Sequence, residues 1–145
     1  EVEGDQTLTV DVPLGSIPVF QREGTIVPLN LDAEFKLGSD VGNETESYRN
    51  IELRIFPGEG CSLDLVRGQG ERVDHVAVTC DKDQKEISID LPGIESPMRV
   101  ILYTSKPADL KLDGAPAEWS WSEQLRMVSL FVNPGVSRHE LVVCK

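Results

Sequence analysis

Basic residues are scarce in this chain. Fourteen Lys and Arg stand against 25 Asp and Glu in 145 residues, a formal net charge of −11. A surface so acidic repels polyanions, which argues against nucleic acid and an anionic membrane surface as partners. Long apolar runs are missing as well. No stretch approaches the roughly 20 residues of a membrane span, and nothing resembles a signal peptide. The three cysteines, Cys61, Cys80 and Cys144, form an odd set without Cys-x-x-Cys spacing, and the two histidines, His75 and His139, lie far apart. No zinc set is legible in that pattern, and no metal or other cofactor is expected. Helical stripes are also absent, because no window keeps apolar residues at i, i+3, i+4 and i+7 for long. Only Leu31–Leu37 is expected to supply a turn or two of helix. The first residue is Glu1 rather than methionine, so a piece of a longer protein is expected.

What the chain does have is period-two alternation. Leu8, Val10 and Val12 share one face of a first expected strand, and Ile51, Leu53 and Ile55 alternate with Glu52 and Arg54 until Pro57-Gly58. Leu63/Leu65, Val73–Cys80 and Ile87/Ile89/Leu91 continue the pattern. Val100–Tyr103 is a continuous apolar run suited to a strand covered on both faces. Leu110–Leu112 leads into Asp113-Gly114, a hairpin turn signal. Trp119/Trp121, Leu125–Val132 and Glu140–Cys144 complete the series, with Met127, Ser129 and Phe131 on one side. Short strands separated by Gly, Pro and Asp turns predict an all-β fold, an antiparallel β-sandwich. In such strands the cysteines read as buried free thiols. A Cys61–Cys80 bridge stays open if their strands are neighbours.

Composition shifts near residue 45. Residues 1–45 hold nine acidic and two basic residues and so carry −7 of the −11, whereas residues 46–145 hold 16 acidic and 12 basic. The polar stretch Gly38–Ser47 is the expected linker, and it contains the sequon Asn43-Glu44-Thr45. Two units follow: 1–45, too short to bury a core of its own, and 46–145, a whole sandwich. The first unit is expected to be part of a second, partial sandwich that leans on its neighbour or on something upstream.

The most distinctive segment is Val12-Pro13-Leu14-Gly15-Ser16-Ile17-Pro18-Val19-Phe20-Gln21-Arg22-Glu23-Gly24-Thr25-Ile26-Val27-Pro28, where prolines and glycines punctuate apolar pairs. It resembles the segment of glycoside hydrolase family 31 that closes the β-sandwich after the catalytic barrel. Leu53-Arg54-Ile55-Phe56-Pro57-Gly58 is similar to the strand that opens the family's distal C-terminal sandwich. Leu112-Asp113-Gly114 with a Trp soon after fits that domain's end. Where the family commonly carries an acidic Glu-Asp-Asp-Gly turn, this chain reads Val66-Arg67-Gly68-Gln69-Gly70-Glu71, which removes the basis for a cation role there.

The resemblance implies that residues 1–45 end a proximal C-terminal sandwich and 46–145 form the distal one. It further implies a parent α-glucosidase or α-xylosidase, whose (β/α)8 barrel this region would brace as its partner. The catalytic carboxylates belong to that barrel. No such motif occurs here, and 145 residues cannot hold a barrel of about 250. A retaining glycosidase needs two carboxyl groups roughly 5–5.5 Å apart, and no spacing in this chain singles out a pair. No catalytic residue is therefore assigned, and the chain alone is expected to be inactive. An exposed apolar patch near residues 12–29 is expected in its isolated form.

Pro18, Arg22, Gly24 and Pro28 are the structural residues of the motif. Arg22, set among apolar residues, is expected to be a buried guanidinium bonded to loop carbonyls or a carboxylate. Trp119 and Trp121 are two apart, so both indoles share a strand face. They either stack on an α-linked oligosaccharide, as in a carbohydrate-binding module, or plug the sandwich. His75 and His139 read as satisfied strand histidines, and Asp81, Asp83 and Glu86 as a solvated hairpin tip. Ser16, Ser62 and Ser88 have no His/Asp grouping and no nucleophile elbow.

Overall fold

A computed structural model describes residues 4–5, 7–15, 19–36, 50–67, 70, 72–81, 83, 85–135 and 137–145. The expected linker with its sequon, Pro18 and Ser16 lie outside the described residues, as do three positions of the 66–71 turn.

From Ile51 onward, alternation built strands where it was read. The five-stranded sheet runs in the order β1 (Thr25–Leu31), β2 (Asn50–Phe56), β6 (Met98–Tyr103), β10 (Met127–Val132), β9 (Trp119–Ser122). The six-stranded sheet runs β3 (Gly60–Arg67), β4 (Arg72–Cys80), β5 (Glu86–Leu91), β11 (His139–Cys144), β7 (Asp109–Leu112), β8 (Ala115–Pro116). Every pairing is antiparallel except that of β2 with β6. No helix occurs among the described residues, so none is long and apolar enough to cross a membrane. The all-β sandwich is thus the observed fold.

The core lies between the sheets. Ile51, Leu53 and Ile55 of β2, Val100 and Leu102 of β6, and Val128 and Leu130 of β10 meet Val76, Ile87, Ile89, Leu91, Leu141 and Val143 of the second sheet. All are buried, which accounts for the alternation: the core takes every second side chain. Asp113 (φ 54°) and Gly114 (φ 79°) make the expected β7–β8 turn, with both central residues left-handed as a two-residue hairpin prefers.

Three expectations are corrected. Residues 7–13 form no strand: Leu8, Val10 and Val12 are exposed, since no sheet edge of this chain reaches them. Leu31–Leu37 gives no helix among its described residues, because β1 runs through Leu31 and the chain then turns. Asp32 Oδ1 accepts the amide N–H of Glu34 (2.9 Å) and of Lys36 (2.8 Å), and Phe35 sits at φ 56°, which a right-handed helix excludes. Leu125 belongs to the turn before β10 rather than to the strand.

Residues 25–31 pair with β2 from Thr25↔Phe56 to Leu31↔Asn50, so part of the N-terminal unit is an edge strand of this sandwich. Pro28 is tolerated there because an edge strand has one row of amides without a ladder partner.

Candidate functional site

A groove of about 590 Å³ opens at the end of the sandwich where the N-terminal arm joins it. Its floor is aromatic, with Phe56 and Tyr103 edge to face at 6.1 Å. Gln21 and Glu23 of the arm, Thr104 and Ser105 after β6, Gln124–Arg126 of the β9–β10 turn, and Lys145 add polar groups around it. Among the described residues Glu23 is the groove's single Asp or Glu side chain, so they do not assemble the two-carboxylate geometry of glycoside hydrolysis there.

The arm is fastened to the sandwich at the base of this groove. Gln21 Nε2 donates to the carbonyls of Arg54 (3.0 Å) and Thr25 (3.3 Å), and Gly24 N–H donates to Phe56 O (2.8 Å). Gly24 (φ 73°) needs the conformational freedom that its motif position suggested. Arg22 differs from expectation. Its side chain is exposed, and what is bonded here is its backbone carbonyl, which accepts from Thr25 Oγ1. The apolar residues flanking it lie outside the core, so no burial is imposed on the guanidinium. Gln21 does the fastening that was expected of Arg22.

The buried charge sits elsewhere. Glu52 is 0% exposed on the outer face of β2. It accepts from Arg54 Nε at 2.6 Å and from the guanidinium of Arg99 on β6. Arg99 also donates to Phe35 O (3.0 Å) and lies 5.1 Å from the Phe35 ring centroid, while that ring packs edge-on against Phe131. The turn after β1 therefore lids a three-charge cluster. Alternation alone puts Glu52 and Arg54 on the face opposite Ile51, Leu53 and Ile55 and does not reveal the lid. The signal available was Arg99, directly opposite Glu52 and interrupting an apolar run.

Trp119 and Trp121 do share a face, and it is the inner one: both are half-buried and pack against the core. They stand opposite Leu130 and Val128, and Trp121 Nε1 donates to Glu123 (2.7 Å). The three thiols are free and half-buried. Cys61 and Cys80 lie on neighbouring strands, but Cys61 faces Val78, two positions from Cys80, a diagonal rather than a direct pair. Burial pushes both thiols up, and the nearby Cys80 adds to the effect on Cys61. That makes both poor nucleophiles at neutral pH.

Among the described residues no group of three or more His, Cys, Asp and Glu could hold a metal ion. Asp81 closes its hairpin, its carboxylate accepting Glu86 N–H at 3.0 Å, and Asp83 pairs with Lys85 at 3.3 Å. His75 Nδ1 meets Asp64 across β3–β4 at 2.7 Å, and Ser88 Oγ lies 3.5 Å from Glu140.

His139 Nδ1 donates to Asp113 Oδ2 at 2.7 Å, and Glu140 N–H donates to Asp113 Oδ1 at 2.9 Å. These bonds, the His139 one foremost, hold the Asp113 carboxyl below its ordinary value. A depressed carboxyl stabilises the fold above its unfolded-state pKa, and that contribution is lost as pH falls through its folded-state value. Asp113→Asn is therefore expected to flatten the acid limb of a urea-denaturation series from pH 7 to pH 2.5. The change is small because the carboxylate is half exposed. An unchanged acid limb rules the clamp out as a source of acid sensitivity.

Sheet order, register and the absence of helix among the described residues define the class: this is a β-sandwich region, not a catalytic barrel. It is a C-terminal region related to glycoside hydrolase family 31. An isomaltosyltransferase of Sporosarcina globispora is 28% identical over 112 residues, which cover 77% of this chain and 10% of that protein. An alpha-xylosidase of Saccharolobus solfataricus is 30% identical over 96 residues, 61% of this chain and 12% of that protein. No family model matches. Among solved structures, a glycoside hydrolase family 31 dextranase of Flavobacterium johnsoniae, complexed with isomaltotriose, superimposes with a TM-score of 0.75 at 19% identity, over 99% of this chain and 22% of that one. A cycloalternan-forming enzyme of Listeria monocytogenes, in complex with a pentasaccharide substrate, gives 0.71 at 19% identity, over 85% and 13%. The chain thus spans about a tenth of the length of the curated relatives it matches.

Proposed function

We propose that this chain is a non-catalytic C-terminal sandwich region of an α-glycosidase that hydrolyses terminal α-linked sugars, and that it braces the catalytic barrel of the same polypeptide. The observation that carries this reading is the arm. Leu8, Val10, Val12, Leu14, Val19 and Phe20 are all exposed, ahead of a sandwich whose own core is complete. Apolar side chains in such a row lose about 25 cal/mol per Å² of stabilisation while they face water, and they favour a neighbouring surface. The relatives supply the context: each holds the matched region within a polypeptide several times longer.

Two measurements test this. The purified chain is expected to release no sugar or nitrophenol from isomaltose, 4-nitrophenyl α-glucoside or 4-nitrophenyl α-xyloside, and turnover above blank by the chain alone overturns the non-catalytic reading. Deleting this region from the longer polypeptide is expected to lower the melting temperature of the catalytic unit. Unchanged melting removes the bracing role.

A further inference from the structure

We infer that the groove end of the sandwich, not either sheet face, is the seat of the neighbouring unit of the same polypeptide; this rests on the bracing reading above. Three surfaces compete for that role. The outer face of the six-stranded sheet is mostly polar: Ser62, Asp64, His75, Ser88, Asp90 and Glu140 alternate outward there, cross-linked by His75–Asp64 and by Arg138 with Asp90, and its exposed Val66 and Val73 face each other at one end of β3 and β4. Covering it would strip water from charges that already have partners, at a cost and with little apolar return. The outer face of the five-stranded sheet is lidded at its centre by the chain's own turn, Phe35 and Arg99 over Glu52. The groove end is different. Val19 on its wall is 86% exposed, Leu125 across the groove is 56% exposed, and Phe20, next to Val19 in the chain, is 67% exposed.

Two observations identify the occupant. Val19 at the groove wall follows the exposed row of the arm, Leu8 to Leu14, in the sequence and stands at most about 18 Å of extended chain beyond it, so a surface that covers the row is within reach of the groove. The relatives carry the matched region as a small part of one much longer chain, which makes the occupant a folded unit of the same polypeptide. Among the described residues the groove's charged side chains are Glu23, Arg126 and Lys145. The surface that fits the groove presents apolar side chains to Val19 and Leu125. The attachment is stiff, because Gln21 and Gly24 tie the arm to β1 and β2 by three hydrogen bonds. Residues 19–24 therefore set the orientation of the neighbour as well as its distance.

Hydroxyl-radical footprinting of the 145-residue chain and of the longer polypeptide tests this. Phe20, Tyr103 and Leu125 are expected to be oxidised readily in the chain alone and several-fold more slowly in the longer polypeptide. Phe131 and Val73, exposed on the outer sheet faces, are expected to react equally in both. Leu125→Asp is expected to lower the melting temperature of the longer polypeptide while leaving the isolated chain unchanged. Equal oxidation of Phe20, Tyr103 and Leu125 in the two proteins overturns the groove assignment, as does slowing at Phe131 or Val73 instead. If deleting the region lowers the catalytic unit's melting temperature but the groove residues show no protection, bracing stands and this inference falls. If deletion has no effect, bracing itself has failed, and the groove inference falls with it.

Discussion

Arg99→Met is expected to destabilise the sandwich by about 3 kcal/mol, the low end of what breaking a buried ion pair costs. For a chain of this size that is a fall of roughly 6–12 °C in melting temperature. Glu52 has no exposed surface and has Arg54 and Arg99 as its charged partners. Methionine keeps much of the volume and the apolar stem but offers the carboxylate no donor. Arg54, which is partly exposed, still holds one carboxylate oxygen, and this places the cost near the lower bound. The double variant Glu52→Gln/Arg99→Met separates charge from packing. A neutral amide needs no counter-ion, so the double variant is expected to recover at least half of the loss. Urea titrations of the three proteins decide it. A loss under about 1 kcal/mol in Arg99→Met, the scale of an exposed pair, means that the cluster behaves as a surface feature despite its burial.

The same cluster shows where the sequence stops being legible. Period two separates the residues of β2 into two sets, and Ile51, Leu53 and Ile55 do form the inner one. It does not say whether the other set meets water or a lid. Glu52 meets a lid because a turn 17 residues earlier folds back over it, and the closing contacts join residues as distant as Phe35 and Arg99. Trp119 and Trp121 raise the same problem with the opposite sign. Their common face was legible, and its direction, inward, depends on β9 pairing with β10, where Val128 and Leu130 define the core side. Pro13, Pro18 and Pro28 punctuate the apolar pairs of the motif, and that punctuation hides β1. An edge strand accommodates Pro28, and edge position is a property of the assembled sheet. Arg22 was assigned burial from its apolar neighbours, yet Val19 and Phe20 are themselves exposed. Local hydrophobicity marked a contact surface there, not a core.

Gly58→Ala is expected to cost about 3 kcal/mol, more than its φ of 57° alone explains. Left-handed backbone penalises any Cβ by roughly 1–2 kcal/mol, and Gly114→Ala (φ 79°) isolates that contribution because nothing lies within 4 Å of its added Cβ. At Gly58 the Cβ would stand 3.0 Å from the backbone nitrogen of Gly24, 3.3 Å from its Cα and 3.0 Å from Glu23 Cγ. The Glu23 side chain can swing away. Gly24 cannot move cheaply, because its N–H is bonded to Phe56 O and the preceding Gln21 is tied to β1 and β2. The clash therefore has to be relieved by prising the arm from the end of the sandwich. Two readouts follow from that geometry. Gly58→Ala should lose more stability than Gly114→Ala, and the Gly24 amide should exchange faster in Gly58→Ala while the β5 and β11 amides change only with global stability. Equal losses in the two variants, with an unchanged Gly24 amide, mean that the arm is not held where residues 21–24 meet the β2–β3 turn.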